Sequence, residues 1–391
     1  MMRSLFNMTG RSPDQHHRAS TPLELFFDLV FVVAVASAAA QLHHGFIANH
    51  ALEASISFIM VFFAIWWAWM GFTWFASAFD VDDAPYRILV FVQMFGSLVI
   101  ASGVPDVFEE HSLKRITIGY SIMRLGLVGL WLRTYYSQPV NSHLRTNALR
   151  NVIGILLCQI GWLSLLALPY TPIWVFFIMV ALELSVPVWA QSAGRTPWHP
   201  EHIAEHYSLL TLIVLGESVL SLSLALQATE SFSDISLQRG LFMLAGLAIL
   251  FCLWWLYFNE PVHDLLKENK NIAFAWGYGH YVIFFSAAAV GAALAATVDI
   301  LDGKASLNDT LLGLILTIPL AFYLLGLWYC HEQHRMQTPQ QKMAYPIAAI
   351  LLLLSSVLPQ TMLWCTVILI GLLIWRVRLN HKTVVSNSHI V

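Results

Sequence analysis

Acidic side chains set in apolar sequence are the residues here whose type and spacing could do chemistry. Glu24 and Asp28 lie in TPLELFFDLVF (21–31), four residues apart and therefore on one face of a helix. Thr21, Pro22 and Glu24 also fit a helix start, with Thr21 as N-cap and Glu24 completing a capping box. Capping and a site role stand level for Glu24. Asp28 is one turn deeper, roughly 9 Å past Pro22 at the helical rise, which is too deep for a cap. Glu217, in SLLTLIVLGESVLSLSL (208–224), falls about 18 Å into its helix. Its small neighbours Gly216, Ser218, Ser221 and Ser223 permit close helix approach. Glu183, in MVALELSVPVWAQ (179–191), precedes Pro187, whose ring can free a backbone carbonyl. Arg124 is the one cation inside these apolar runs. A charge at such depth costs roughly 2.5–3.5 kcal/mol on insertion scales. Three deep carboxylates against one arginine leave at least one unmatched, and such a group is held neutral or cation-bound. Asp28, Glu217 and Glu183 are therefore expected to line a path for a proton, a small cation or a small-molecule solute. Arg124 is their counter-charge, and Glu24 and His280 are further candidates.

The histidines carry a weaker signal. HPEHIAEHY (199–207) sets His202 and His206 at helical i, i+4 spacing beside Glu201 and Glu205, with His199 near. The spacing suits a divalent metal. The order His-Glu-x-x-His is absent, so the hydrolase motif is not met. The segment also sits at the mouth of an apolar run, where polar residues belong. No cofactor and no metal is assigned, and His202 and His206 stand only as weak metal candidates. His280, in GYGHYVIFF (277–285), is read as a core hydrogen-bonding imidazole ahead of a ligand. Cys330, His331 and His334 receive the same reading. FDVDDAP (79–85) gathers Asp80, Asp82 and Asp83 close to Arg87; a solvated loop with helix caps is favoured over a cation vestibule or gate latch. No glycine-rich phosphate loop, nucleophile elbow or kinase motif appears, and enzymatic activity is not assigned. The alternatives to transport are an enzyme on lipid or isoprenoid substrates, which would rely on His199–His206, and a non-catalytic sensor or assembly factor.

These residues need a membrane to position them. Of 391 residues, 58% are hydrophobic and 11% charged, against about a quarter charged in a soluble protein. With a net charge of −3, this composition excludes a cytosolic enzyme, a disordered chain and a nucleic-acid binder. About 20 apolar residues cross a bilayer as a helix. Twelve such runs lie near 22–44, 52–78, 85–104, 114–136, 147–168, 171–191, 205–227, 237–258, 274–299, 307–329, 343–358 and 360–377. The last two are short and could form one re-entrant hairpin. The start of the chain is polar, with Arg3, Arg11 and Arg18 and no apolar signal core, so the first span is expected to be an uncleaved anchor. With that end cytoplasmic, fifteen Lys and Arg residues fall on inner segments and four on outer ones. This is the positive-inside bias, with both ends inside. Cys158, Cys252, Cys330 and Cys365 read as packed apolar thiols, and most of the fifteen Trp residues as anchors and packing.

The expected fold is thus an all-α polytopic membrane helix bundle of about twelve transmembrane helices. Two parallel six-helix repeats are expected at 21–198 and 199–378, between a polar cytoplasmic segment at 1–20 and a tail at 379–391. FAIWWAW (63–69) resembles FCLWWLY (251–257), FVQMFGS (91–97) resembles YVIFFSA (281–287), and VGLWLR (128–133) resembles LGLWYC (325–330), at offsets of 188, 190 and 197. Asp28 then falls opposite Glu217, at an offset of 189. Six spans per half would give both halves the same orientation, a layout frequent in transporters. The lipid bilayer is the expected partner, a homodimer is compatible with this layout, and nucleic acid is not expected.

TPLELFFDLVFVVAVA (21–36), WWAWMGFTWFASAFDVDD (66–83) and AEHYSLLTLIVLGESVLSL (204–222) together resemble the bacterial low temperature requirement A (LtrA) family, over about residues 18–375. The resemblance implies a multi-pass protein of the bacterial inner membrane linked to growth in the cold. It implies little chemistry. Where that family usually shows Glu-Arg, this chain has Glu205-His206. A weaker likeness of layout is to the lysosomal potassium-channel family, whose repeats open with Arg and then Phe-Ser-Asp. Arg18 and Phe27-Asp28 occupy comparable places here without the serine, and the second half has Leu215-Gly216-Glu217.

Overall fold

The computed structural model describes residues 8–12, 15, 18–168, 172–227, 237–336 and 338–388, without the side chains of 224–227, 238 and 380–388. Much of the expected polar start (1–20), the loops at 169–171 and 228–236 and the expected tail (379–391) lie wholly or partly outside that description.

Every regular element among the described residues is helical. Apolar runs longer than a span leave the backbone no partner but itself in hydrocarbon, and helices satisfy that demand. The long helices are α1 (Pro22–Ile47), α2 (Ala51–Phe79), α3 (Ala84–Glu109), α4 (Lys114–Ser137), α5 (His143–Leu165), α6 (Ile173–Gln191), α7 (Pro200–Gln227), α8 (Leu237–Phe258), α9 (Ala273–Leu301), α10 (Asp309–Leu327), α11 (Pro339–Ser355) and α12 (Thr361–Ser388). Short helical pieces join α8 to α9, and a π-helical turn at Trp328–Glu332 extends α10. Ten stretches are long and apolar enough to cross a bilayer. The two long helices outside that set are α4, which carries Lys114, Arg115, Arg124 and Arg133, and α11, which has only 17 residues. The chain is a multi-pass membrane protein. The largest departure from the expected boundaries is at α12, which runs to Ser388 instead of 377, while α7 begins at Pro200 instead of 205.

Two compact units are present. The first comprises residues 1–38 and 60–206, the second 39–59 and 207–391. The division falls inside α1, α2 and α7.

In the first unit α3 packs on α4, α4 on α5 and α5 on α6. The α3–α4 contact is set by glycine. A Cβ on Gly119 would stand 2.6 Å from the Ile100 nitrogen and 2.7 Å from the Gly96 carbonyl oxygen. Backbones this close leave no room for any side chain, the small-residue mode of packing inside membranes. The first turns of α1 and α7 also lie together in this unit. Glu24 meets His202 and Asp28 meets His206, each pair 178 residues apart, so the two helices start side by side in the same direction.

In the second unit α9 is the most enclosed helix, with 83% of its apolar window buried. Its small residues from Ser286 to Thr297 admit neighbours closely, and Ser218 of α7 donates to the Ala287 carbonyl at 3.2 Å. Arg376 of α12 bridges Glu332 at 2.8 Å and Glu260 at 2.6 Å.

Gly119→Ala should force α3 and α4 apart and destabilise the protein by about 1–3 kcal/mol, the range for overpacking. The thermal midpoint of the purified protein in detergent would fall relative to wild type; an unchanged midpoint would show the contact to be pliable.

Candidate acid–imidazole site

The site is built at the openings of α1 and α7. Pro22 starts α1, and Thr21 and Glu24 form a reciprocal cap. The Thr21 amide donates to Glu24 Oε2 at 2.7 Å, and the Glu24 amide donates to Thr21 Oγ1 at 3.3 Å. Glu24 therefore caps its helix and still turns its carboxylate inward. His202 Nε2 lies 3.2 Å from Oε1 and 3.3 Å from Oε2, and His206 Nε2 lies 3.8 Å from Oε2.

One turn deeper, Asp28 completes the arrangement. It accepts from Trp69 Nε1 at 2.7 Å and holds His206 Nδ1 at 2.9 Å. Glu24, His202 and His206 are fully buried and Asp28 is 1% exposed. The i, i+4 repeat of each helix puts two polar groups on its shared face, which is why acid meets imidazole twice in register. Glu24 Oε1, His202 Nδ1 and His206 Nε2 have no hydrogen-bond partner. One ligand atom each from Glu24, His202 and His206 can be chosen within 4.8 Å of one another, close enough to share a metal ion.

The chain before α1 closes over this point. Arg18 donates to the carbonyls of Ser77 and Ala76 at the end of α2, the latter at 2.6 Å. The Ser20 amide donates to Glu205 Oε2 at 3.1 Å, and the ring of His199 reaches the Gln15 carbonyl at 2.9 Å. Asp80 is buried beside them, with Arg11 at 3.7 Å. Burial pushes the Asp80 carboxyl up to about 6, reinforced by the nearby charge of Glu24 and opposed by Arg11 and Arg18. Burial likewise lowers the Arg18 guanidinium from its usual range.

Glu183 and Arg124 form a separate centre in the same unit. Glu183 Oε2 accepts from Arg124 at 3.0 Å and Trp67 at 3.0 Å, while Oε1 accepts from Gln159 and Trp162 at 3.2 Å each. Four donors fill the acceptor capacity of a carboxylate. Arg124 also donates to the Tyr120 hydroxyl at 2.6 Å and lies over the Tyr120 and Trp67 rings. Of the three possible partners for Arg124, the fold uses Glu183.

Glu217 belongs to the second unit, where it is half-buried with Ser221 as a hydrogen-bond partner. Within the first unit, the residue that Asp28 faces on α7 is His206. His280 is spoken for at both ring nitrogens, by the Trp276 carbonyl at 2.8 Å and the Tyr257 hydroxyl at 3.2 Å. His331, on the π-helical turn, packs 5.3 Å from it between ring centroids. In the FDVDDAP segment Asp83 caps α3 and pairs with Arg133 at 2.6 Å, while Asp82 pairs with Arg87 at 2.8 Å. Hydrogen bonding to Arg87 holds the Asp82 carboxyl below its usual range. All four cysteines are free and buried.

Sequence reasoning missed Trp69 as the second holder of Asp28, and Arg18 and Glu205 as fasteners of the chain before α1. Four Trp residues in one apolar helix give no sign of which indole faces an acid. It also treated HPEHIAEHY as interfacial because it is polar, although α7 buries its histidines.

The sequence profile of the bacterial low temperature requirement A protein matches residues 19–375. An uncharacterized protein of Rhizobium meliloti (strain 1021) is 26% identical over 283 residues, which span 68% of this chain and 66% of that protein.

Two outcomes follow from this geometry. Glu183→Ala strands the Arg124 guanidinium in the interior and should destabilise the protein by about 3–5 kcal/mol, read as a drop in the thermal midpoint in detergent. The Asp80 carboxyl, raised in the fold from 3.8 to about 6, ionises in the unfolded chain first. Its contribution to stability therefore falls as pH rises through that window. Asp80→Asn should flatten the decline of the midpoint between those two values, and an unaltered slope would assign the decline to other groups.

Proposed function

This chain belongs to the bacterial low temperature requirement A family, and we propose that within it the protein is an inner-membrane transporter of a small cation, with Glu24, Asp28, His202 and His206 as its binding centre. The observation that carries this reading is a pair of buried carboxylates facing a pair of imidazoles. Among the described residues neither carboxylate has a Lys or Arg in ion-pair distance. Glu183 shows the contrast, since its charge is spent on Arg124. Intramembrane ionisable groups without a fixed counter-charge mark ion pathways by default.

Complete burial of Glu24, His202 and His206 favours an occluded ion over a lipid or isoprenoid, whose headgroup would need an opening of its own size. The same-direction start of α1 and α7 supports an even number of crossings between them, as the positive-inside count requires. Both helices open on a proline, Pro22 and Pro200, which supports two repeats of one orientation with their first helices supplying the site. The charge asymmetry supports openings that face the cytoplasm.

Purified protein in liposomes should pass at least one of Zn²⁺, Mn²⁺, K⁺, Na⁺ or H⁺ faster than protein-free vesicles. Glu24→Gln and Asp28→Asn should each lower that flux about tenfold or more, a loss of roughly 1.4 kcal/mol in transport free energy. Flux of none of these ions, or flux indifferent to both substitutions, would remove the reading.

A further inference from the structure

We infer that Glu24, His202 and His206 form a binding site for a divalent first-row transition-metal ion, with Asp28 as the residue that positions His206. The inference rests on reading this centre as a cation site, and it asks for binding alone.

The donors already stand where such an ion needs them. A four-coordinate ion with ligands at about 2.0–2.2 Å has its donor atoms roughly 3.3–3.6 Å apart. Measured from one carboxylate oxygen, Glu24 Oε2, His202 Nε2 lies at 3.3 Å and His206 Nε2 at 3.8 Å, and one donor atom from each of the three residues lies within 4.8 Å of the others. The two imidazoles are one helical turn apart on α7 with ring centroids 4.6 Å from each other, the placement that lets two histidines of one helix share an ion.

Second, the atoms that would ligate include the ones left over. Glu24 Oε1 and His206 Nε2 are buried without a hydrogen-bond partner, and a polar group left unmet in the interior is costly. An ion shared by Glu24 and His206 would take up that unmet capacity.

Third, His206 is already oriented as a ligand. Asp28 accepts from its Nδ1 at 2.9 Å and is itself fixed by Trp69 at 2.7 Å. With the Nδ1–H donated to Asp28, the Nε2 lone pair is left free on the side of Glu24. A carboxylate behind a ligating histidine is the recurrent support of such sites.

The chemistry of the set selects the ion. Two imidazoles and a carboxylate, with no thiolate, suit Zn²⁺, Fe²⁺, Mn²⁺, Co²⁺ or Ni²⁺ ahead of Ca²⁺, Mg²⁺ or Cu⁺. Three protein ligands leave a fourth position for water or a counter-anion.

The test uses the full chain purified in detergent, stripped with chelator, reloaded with Zn²⁺ and dialysed. Elemental analysis should find one zinc per chain. Glu24→Gln should lose it. Asp28→Asn should keep the stoichiometry but bind about 10–100-fold more weakly, a split that a general loss of fold would not produce. X-ray absorption at the zinc edge of wild-type protein should show nitrogen and oxygen neighbours at about 2.0–2.1 Å and no sulfur, which decides the ligand set even if a variant fails to fold. Sub-stoichiometric zinc in wild type, full retention in Glu24→Gln, or a sulfur shell would each overturn the site. Ion flux from protein that binds no zinc would sink this inference and leave the transport reading standing. Zinc bound without flux would do the reverse.

Discussion

Burial of two carboxylates opposite two imidazoles, with water excluded, is the constraint on which the first unit turns. Ionised groups taken out of water cost several kcal/mol apiece unless matched. The fold meets that cost for Glu183 by surrounding it with Arg124, Trp67, Gln159 and Trp162. Glu24 is met differently, by the Thr21 amide at 2.7 Å and by the rings of His202 at 3.2 Å and His206 at 3.8 Å. Among the described residues the first unit thus holds one carboxylate matched by a guanidinium and another matched by imidazoles.

The surrounding structure keeps these groups in place. The cap between Thr21 and Glu24 fixes the carboxylate at the start of α1. Trp69 and Asp28 fix His206 from behind. Arg18, Gln15 and Ser20 fasten the incoming chain across the end of α2 and the start of α7. Asp80, with its carboxyl raised to about 6, records how strongly burial and the Glu24 charge act on this corner.

Much of the fold was legible because hydrocarbon leaves so few choices. Apolar runs of span length became helices nearly where they were expected. Thr21-Pro22-Leu23-Glu24 announced both its cap and its inward acid. Arg124 stood out as the one deep cation, but Asp28, Glu183 and Glu217 were all open as its partner, and only packing selects Glu183. The site itself was half visible. Glu24 and Asp28 stood out by depth, and His202 and His206 by spacing, yet nothing local joins two segments 178 residues apart. The polarity of HPEHIAEHY pointed to an interface, and only tertiary packing against α1 turns it inward.

The most direct measurement is an anomalous difference map at the zinc edge from crystals of the full chain grown with Zn²⁺. The account predicts one strong peak bounded by the Glu24 carboxylate and the Nε2 atoms of His202 and His206, with Asp28 on the far side of the His206 ring. Zinc-loaded crystals with no peak at that position, or with the ion held elsewhere in the bundle, would contradict it.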